Sequence, residues 1–385
     1  MTCSGTSVSG SWLARRTCAR PRDWSGKDRA VKNGKIGFAL VGTGMAGQTH
    51  ARELEFVADG ELVAVCSRNE MRVREFADAF KVPSWYTDYR ELLKNPDVDV
   101  VSVLVPTGQH AEVTIAASNS GKHVLVEKPL EITLERADKI IATCAANNTK
   151  LGVIFQMRFG SVARKLRHAV QSGAMGRVFL ADAIDKSSRT AAYYASAAWR
   201  GTMALEGGGC LMTQSIHVVD LLQYIVGPIR SVNGRVATMV HDIEVEDTAT
   251  ALVTFMSGAI GTIESTSSIK PALRSRIEIH GENGTIVANP QYDQILLWDV
   301  KGLPCEDIAE NVALGDIDDP WAYPQVRHRV QLQDMVDAIR ENRPPVLTGE
   351  DARVSLAINM AIYESSQKGG LEVLVSQAMG VPVER

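Results

Sequence analysis

No apolar run in the sequence approaches the roughly 18 residues a bilayer-crossing helix needs, so no membrane span is expected. Charge of one sign is scarce as well. The 41 Lys and Arg stand against 45 Asp and Glu, a formal net charge of −4. That balance leaves no electrostatic footprint for nucleic acid or an anionic membrane surface. Cysteine is sparse and scattered: Cys3, Cys18, Cys66, Cys144, Cys210 and Cys305 have no close pairs. Their spacing excludes short-range zinc motifs and a dense disulfide framework, and fits reduced thiols in a cytoplasmic protein. Histidines with partners at ligand spacing are lacking too, so no metal is expected.

What is present is enough chain for two domains, 385 residues of which 45% are apolar, so each half can bury a core. Residues 1–34 differ from the rest. They carry seven Arg and Lys against only Asp23 and Asp28, with much Ser, Thr and Gly and no apolar h-region. A disordered leader or a misassigned start is expected there, with Val31 as an alternative initiator and an organelle transit peptide as the weaker reading.

From KIGFALV (35–41) onward, short apolar runs alternate with helical segments. The strands ELVAVC (61–66), 98–105, 123–127 and 151–155 are separated by helices at 47–58, 71–80, 111–120 and 134–147. Such alternation predicts an α/β, doubly wound parallel sheet of the Rossmann kind over 35–155. Beyond 160 the texture changes. β-branched stretches at 178–184, 231–239, 248–255, 261–267 and 276–280 follow one another without intervening helices, with turns such as Asn283-Gly284. The prediction for 156–385 is an α+β domain with an open, mostly antiparallel sheet, closed by helices at 326–342 and 350–368.

The turn GTGMAG (42–47) sits between the first strand and the first helix. Gly42, Gly44 and Gly47 permit a tight turn and close approach of a pyrophosphate, while Met45, Ala46 and Gly47 offer free helix amides. Selection of the dinucleotide falls to the end of the second strand. There Cys66-Ser67-Arg68-Asn69 stands in place of an acidic residue. Ser67 can donate to a 2′-phosphate and Arg68 can pair with it, which favours NADP. Glu70 keeps NAD open.

Two further motifs carry chemistry. EKP (127–129) lies just past a strand end, and GGGCLMTQSIH (207–217) follows about 80 residues later as a glycine loop running into a helix. Thr213 and His217 stand four apart, on one helix face. With PTGQH (106–110), GKHVLVEKPL (121–130) and His217-Val218-Val219-Asp220, these motifs resemble the Gfo/Idh/MocA family of NAD(P)-dependent sugar and inositol oxidoreductases over about 36–366.

The resemblance implies hydride exchange at a secondary alcohol carbon of a sugar, glycoside or cyclitol. It also implies oligomerisation, as a homodimer or homotetramer, through the C-terminal sheet. It makes Lys128 and His217 the catalytic pair. Either can be the terminal base; His217 is assigned the acid/base role and Lys128 the orienting and polarising one. Thr213 stands where many members have Asp and is counted with the catalytic residues, its hydroxyl able to bond a substrate or the imidazole but supplying no charge; the LMxQxIH form resembles a subgroup acting on sugars or glycosides. Asp220 could orient His217 instead, or serve the structure. Pro106, Thr107, His110, Glu127 and Lys128 are expected beside the cofactor. Tyr194, Trp199 and Arg200 belong to a polar aromatic loop suited to a sugar. With Arg158 and Gln214 they are the expected substrate contacts. Two other functions remain open: a glycoside-cleaving enzyme that uses bound NAD for transient oxidation and elimination, and a non-catalytic cofactor sensor.

Overall fold

The computed structural model describes residues 34–273, 275–305 and 326–378. The expected leader therefore lies, Gly34 aside, outside the described residues. Six strands make the first sheet: β1 (Ile36–Val41), β2 (Gly60–Cys66), β3 (Ser84–Tyr86), β4 (Val100–Val103), β5 (His123–Val126) and β6 (Leu151–Val153). Their order is β3-β2-β1-β4-β5-β6, parallel throughout. Helices α1 (Met45–Leu54), α2 (Glu70–Phe80), α3 (Tyr89–Leu92), α4 (His110–Asn119) and α5 (Leu134–Ala146) lie in the crossovers. This is the predicted Rossmann order, in which the winding reverses between β1 and β4 and opens a crevice at the strands' carboxyl ends.

Local chemistry accounts for the elements. IGFALV is buried at all six positions, as a strand covered on both faces requires. The Asn69 side chain accepts the Arg72 N–H and the Thr133 hydroxyl oxygen accepts that of Arg136, fixing the starts of α2 and α5. β3 was not among the expected strands, because SWY is too short to display a period.

The second half continues with α6 (Ser161–Gln171), β7 (Val178–Lys186), α7 (Ala191–Ala195), α8 (Met203–Glu206) and α9 (Ile216–Val226). Then come β8 (Ile229–Ala237), β9 (Thr248–Phe255), β10 (Ile260–Thr266), β11 (Arg276–Gly281), β12 (Gly284–Asn289) and β13 (Gln294–Val300). The last described elements are α10 (Val326–Arg340), α11 (Gly349–Gln367), β14 (Val373–Leu374) and α12 (Val375–Ala378). The sheet order is β13-β12-β11-β7-β10-β9-β8-β14. β7 and β10 pair in parallel, and the other pairings are antiparallel. β12 and β13 extend the sheet beyond the expected strands.

Two contacts weld the halves. Met212 and Ile216 are buried in the same cluster as Val103, Val126 and Phe155 of the first half. Leu332, Met335 and Val336 of α10 return to pack with Ile36, Phe38 and Leu40 of the first half. The start of α9 is thereby pinned over the open edge of the parallel sheet.

Candidate active site

At the end of β1 the chain turns through Gly42 at φ +127°, where a Cβ would come within 2.4 Å of the Leu104 carbonyl oxygen. Only glycine fits there. Gly44 is the N-cap of α1 and offers the first amides no side-chain partner. The space beside its Cα is open. Uncapped amides facing open space make an anion cradle, so these residues fit the pyrophosphate of a dinucleotide. At the end of β2, Ser67 is half-buried and its N–H donates to the Tyr86 carbonyl at 3.1 Å, while Arg68 is exposed. Glu70 lies in the first turn of α2, its carboxylate 2.6 Å from Arg74.

Lys128 follows β5 at the sheet's carboxyl edge, and its Nζ donates to the Thr213 carbonyl oxygen at 2.6 Å. Burial lowers its amine from the ordinary lysine value. Glu127, Glu206 and Asp185 pull upward, and Arg189 adds to the lowering. His217 is 7% exposed, its ring edge-on to Phe155 at 5.8 Å between centroids. Its Nδ1 is buried without a hydrogen-bond partner. Burial, reinforced by the Lys128 charge, holds the imidazole well below its usual range, so it is neutral at pH 7. The lysine amine and a neutral histidine thus lie near one another at the sheet edge, close enough for the lysine charge to act on the imidazole.

Several expected residues are placed otherwise. Thr213 does not present its hydroxyl to His217. Residues Leu211–Ser215 form a π-helical turn, which breaks the simple four-residue spacing, and the hydroxyl lies 2.8 Å from the Gly209 carbonyl oxygen and 2.7 Å from Gln214 Oε1. Thr213 serves Lys128 through its carbonyl instead. Arg158, expected to meet substrate, makes a bidentate pair with Asp220, both contacts 2.6 Å, and stacks on Tyr224. Ser355 donates to the same carboxylate at 2.6 Å, so neither Arg158 nor Asp220 serves the cleft. His110, expected at the cofactor, is clamped between backbone carbonyls: Nδ1 at 2.9 Å from Pro129 and Nε2 at 2.9 Å from Val105. Its ring ties the loop after β4 to the loop after Lys128.

Pro106 and Thr107 lie in that loop after β4, with Thr107 buried. Glu127 points between two histidines, Oε1 being 3.4 Å from His50 Nε2 and 3.9 Å from His328 Nε2. Burial would raise its carboxyl, but the bond and charge of His50, with His328 and Lys128, bring it down to about 2. Tyr194 and Ser267 share a hydrogen bond of 3.0 Å between their hydroxyls, and Arg200 lies over the rings of Tyr193 and Trp199.

Sequence reasoning missed three groups, Asp185, Glu206 and Glu246, while Arg189 opens the polar aromatic loop already read as suited to a sugar. The charges of Asp185 at the end of β7, Arg189 just after it and Glu206 in α8 all act on the Lys128 amine. Glu246 is 5% exposed and accepts the Gly209 N–H at 2.7 Å, the Leu211 N–H at 3.0 Å and the Tyr363 hydroxyl at 2.9 Å. It holds the glycine loop that leads into His217. None of the three belongs to a local motif, so no sequence signal could have found them.

A glycine cradle beside β1, with a half-buried lysine and a buried histidine at the same sheet edge, defines an oxidoreductase built on a dinucleotide-binding fold. Residues 36–155 match the oxidoreductase family with an NAD-binding Rossmann fold, and residues 163–287 match the GFO/IDH/MocA C-terminal domain. The chain belongs to the Gfo/Idh/MocA family of oxidoreductases. It is 28% identical to the myo-inositol 2-dehydrogenase of Thermotoga maritima over 344 residues, 86% of this chain and 96% of the relative. It is also 28% identical to the 1,5-anhydro-D-fructose reductase of Ensifer adhaerens over 314 residues, 80% of this chain and 90% of that one. The WlbA dehydrogenase of Bordetella pertussis, solved with NADH and UDP-GlcNAcA, superposes with a TM-score of 0.79 at 26% identity, over 91% of this chain and 100% of that one.

Proposed function

We propose that the protein oxidises or reduces a secondary alcohol carbon of a sugar, glycoside or cyclitol, with NADP as the preferred coenzyme. The observation that carries this reading is the half-buried amine of Lys128, held by the Thr213 carbonyl, beside a buried neutral imidazole, His217, at the sheet edge next to the glycine cradle. A bound nicotinamide supplies the hydride acceptor or donor. His217 takes the hydroxyl proton in oxidation and returns it in reduction. Lys128, aimed by the Thr213 carbonyl, orients and polarises the substrate oxygen. Gln214, Tyr194, Trp199 and Arg200 line the sugar side, and residues 35–155 carry the dinucleotide while 156–385 present the substrate.

The coenzyme preference rests on Ser67 and Arg68 at the end of β2, together with the pairing of Glu70 to Arg74, which draws that carboxylate to its own helix. We also infer a homo-oligomer in the cytoplasm. One face of the second sheet leaves Leu252 and Ile260 more than half exposed, two register positions apart on the paired strands β9 and β10. Light scattering after size exclusion measures the assembly. The test of the reaction is a panel of sugars, glycosides and inositols followed at the absorbance of the reduced nicotinamide, with NAD and NADP in parallel. No turnover on any of them, in either direction, would overturn the reading.

A further inference from the structure

The glycine loop ahead of α9 is held by one buried side chain from outside it. Glu246, 5% exposed, stands just before β9. One carboxylate oxygen accepts the Gly209 N–H at 2.7 Å, and the other accepts the Leu211 N–H at 3.0 Å and the Tyr363 hydroxyl at 2.9 Å. The carbonyl oxygen of Glu246 accepts the Cys210 N–H at 3.0 Å. A Cβ on Gly209 would fall 1.7 Å from that carbonyl, so only glycine allows the approach. The amides of Gly209, Cys210 and Leu211 thus all end on one residue. The bonds continue inward. The Gly209 carbonyl accepts the Thr213 N–H at 2.9 Å and the Thr213 hydroxyl at 2.8 Å. The Thr213 carbonyl accepts from Lys128 Nζ at 2.6 Å.

We propose that Glu246 is a positioning residue for Lys128: its carboxylate, steadied by Tyr363, fixes the π-helical turn Leu211–Ser215 so that the Thr213 carbonyl stays aimed at the lysine amine. The link is a series of hydrogen bonds without a gap. Lys128 donates to Thr213, Thr213 to Gly209 and Gly209 to Glu246, while Tyr363 donates to Glu246 from the far side. All four lie between 2.6 and 2.9 Å, the range of well-formed bonds. Asn359, on α11 with Tyr363, donates to the Leu211 carbonyl at 3.0 Å, so the same helix grips the turn a second time. The loop requires two acceptor oxygens from residue 246. A carboxylate offers both, whereas a carboxamide would turn its NH2 toward one of the donors and lose that bond. An apolar side chain would leave the Gly209 and Leu211 amides buried without partners. A lysine aimed by a backbone carbonyl depends on that carbonyl being held still, since a misplacement of about 1 Å can cost about 10²-fold in rate.

The inference rests on the proposed reaction only for its effect on turnover, so the first measurement needs neither substrate nor coenzyme. Competitive acylation of the intact protein with acetic anhydride, read at Lys128 by mass spectrometry across pH, gives the midpoint at which this amine loses its proton. A carbonyl acceptor favours the protonated amine, so losing it lowers the midpoint. Glu246→Gln should bring the midpoint down by about one pH unit, the scale of one charge-assisted hydrogen bond, and Tyr363→Phe by less. In turnover, Glu246→Gln should lower kcat about tenfold and leave KM for the sugar and the coenzyme Kd within about twofold. If Glu246→Gln does not fold, Tyr363→Phe, which removes only a hydroxyl, makes the same test. An unchanged Lys128 midpoint in the folded variant overturns the inference, and a lowered melting temperature beside it reduces Glu246 to a residue of the fold. A lowered midpoint in a protein that turns over no substrate leaves the inference standing and sinks the proposed reaction.

Discussion

Lys128 and Thr213 are 85 residues apart and belong to different domains, yet the lysine Nζ lies 2.6 Å from the threonine carbonyl oxygen. The bond crosses the junction at the point where the start of α9 packs into the first half's core. Through it the second domain aims a charge that the first domain carries.

Lys128→Met removes that charge, and His217→Ala removes the neutral imidazole. Each should lower kcat by at least about 10²-fold, the usual scale for acid–base groups. Coenzyme affinity, measured by quenching of protein fluorescence, should change little, since the cradle lies at Gly42–Gly47. Near-normal kcat in either variant removes that residue from the mechanism.

The acid limb of alcohol oxidation follows from His217. The base form is the neutral imidazole, and burial with the Lys128 charge lowers its proton affinity well below the ordinary 6.5. The proton that blocks it is therefore taken up only at lower pH. With a saturating coenzyme, kcat/KM should stay level from pH 7 down through 6.5 and fall only below that. A limb centred at or above 6.5 would contradict a buried histidine as the base.

The proposed coenzyme preference is tested at Arg68. A charge-assisted contact to the 2′-phosphate is worth about 1.5–3 kcal/mol, roughly ten- to a hundredfold in affinity. NAD has no such phosphate, so Arg68→Ala should weaken NADP far more than NAD. Dissociation constants of both coenzymes for both proteins make the comparison. Equal weakening, or tighter NAD binding by the unaltered protein, rules out an NADP preference set by this residue.

Arg158→Met should act on stability. It leaves the Asp220 carboxylate, 1% exposed, facing a thioether instead of a guanidinium. Breaking a buried pair from one side costs about 3–5 kcal/mol. The urea midpoint should fall accordingly, and Arg158→Met combined with Asp220→Leu should recover part of the loss. An unchanged midpoint together with a raised KM would return Arg158 to the substrate.

Much of the fold was legible because it is local. The run IGFALV, the Gly42 turn and the helix that follows are close in sequence, and each shows its own period or its own backbone demand. The same holds for Lys128 and His217, which sit in compact motifs beside a strand end and a glycine loop. Helix phase was the first thing lost. The i, i+4 relation of Thr213 to His217 assumes a regular α-helix, and the π-helical turn over Leu211–Ser215 redirects the threonine hydroxyl.

By itself, then, the sequence determined the parallel sheet and the dinucleotide turn, and put Lys128 and His217 forward as the reacting pair. Tertiary structure decided the partners. Whether Arg158 meets a substrate or Asp220 depends on which faces of the loop before α6 and of α9 come together, 62 residues apart. Whether His110 reaches a coenzyme or three carbonyls depends on how two loops close over it. Asp185 stands opposite Ser265 only because β7 pairs with β10 in one particular register. Long-range ion pairs and hydrogen bonds carry no sequence period, so only the packed chain could assign them.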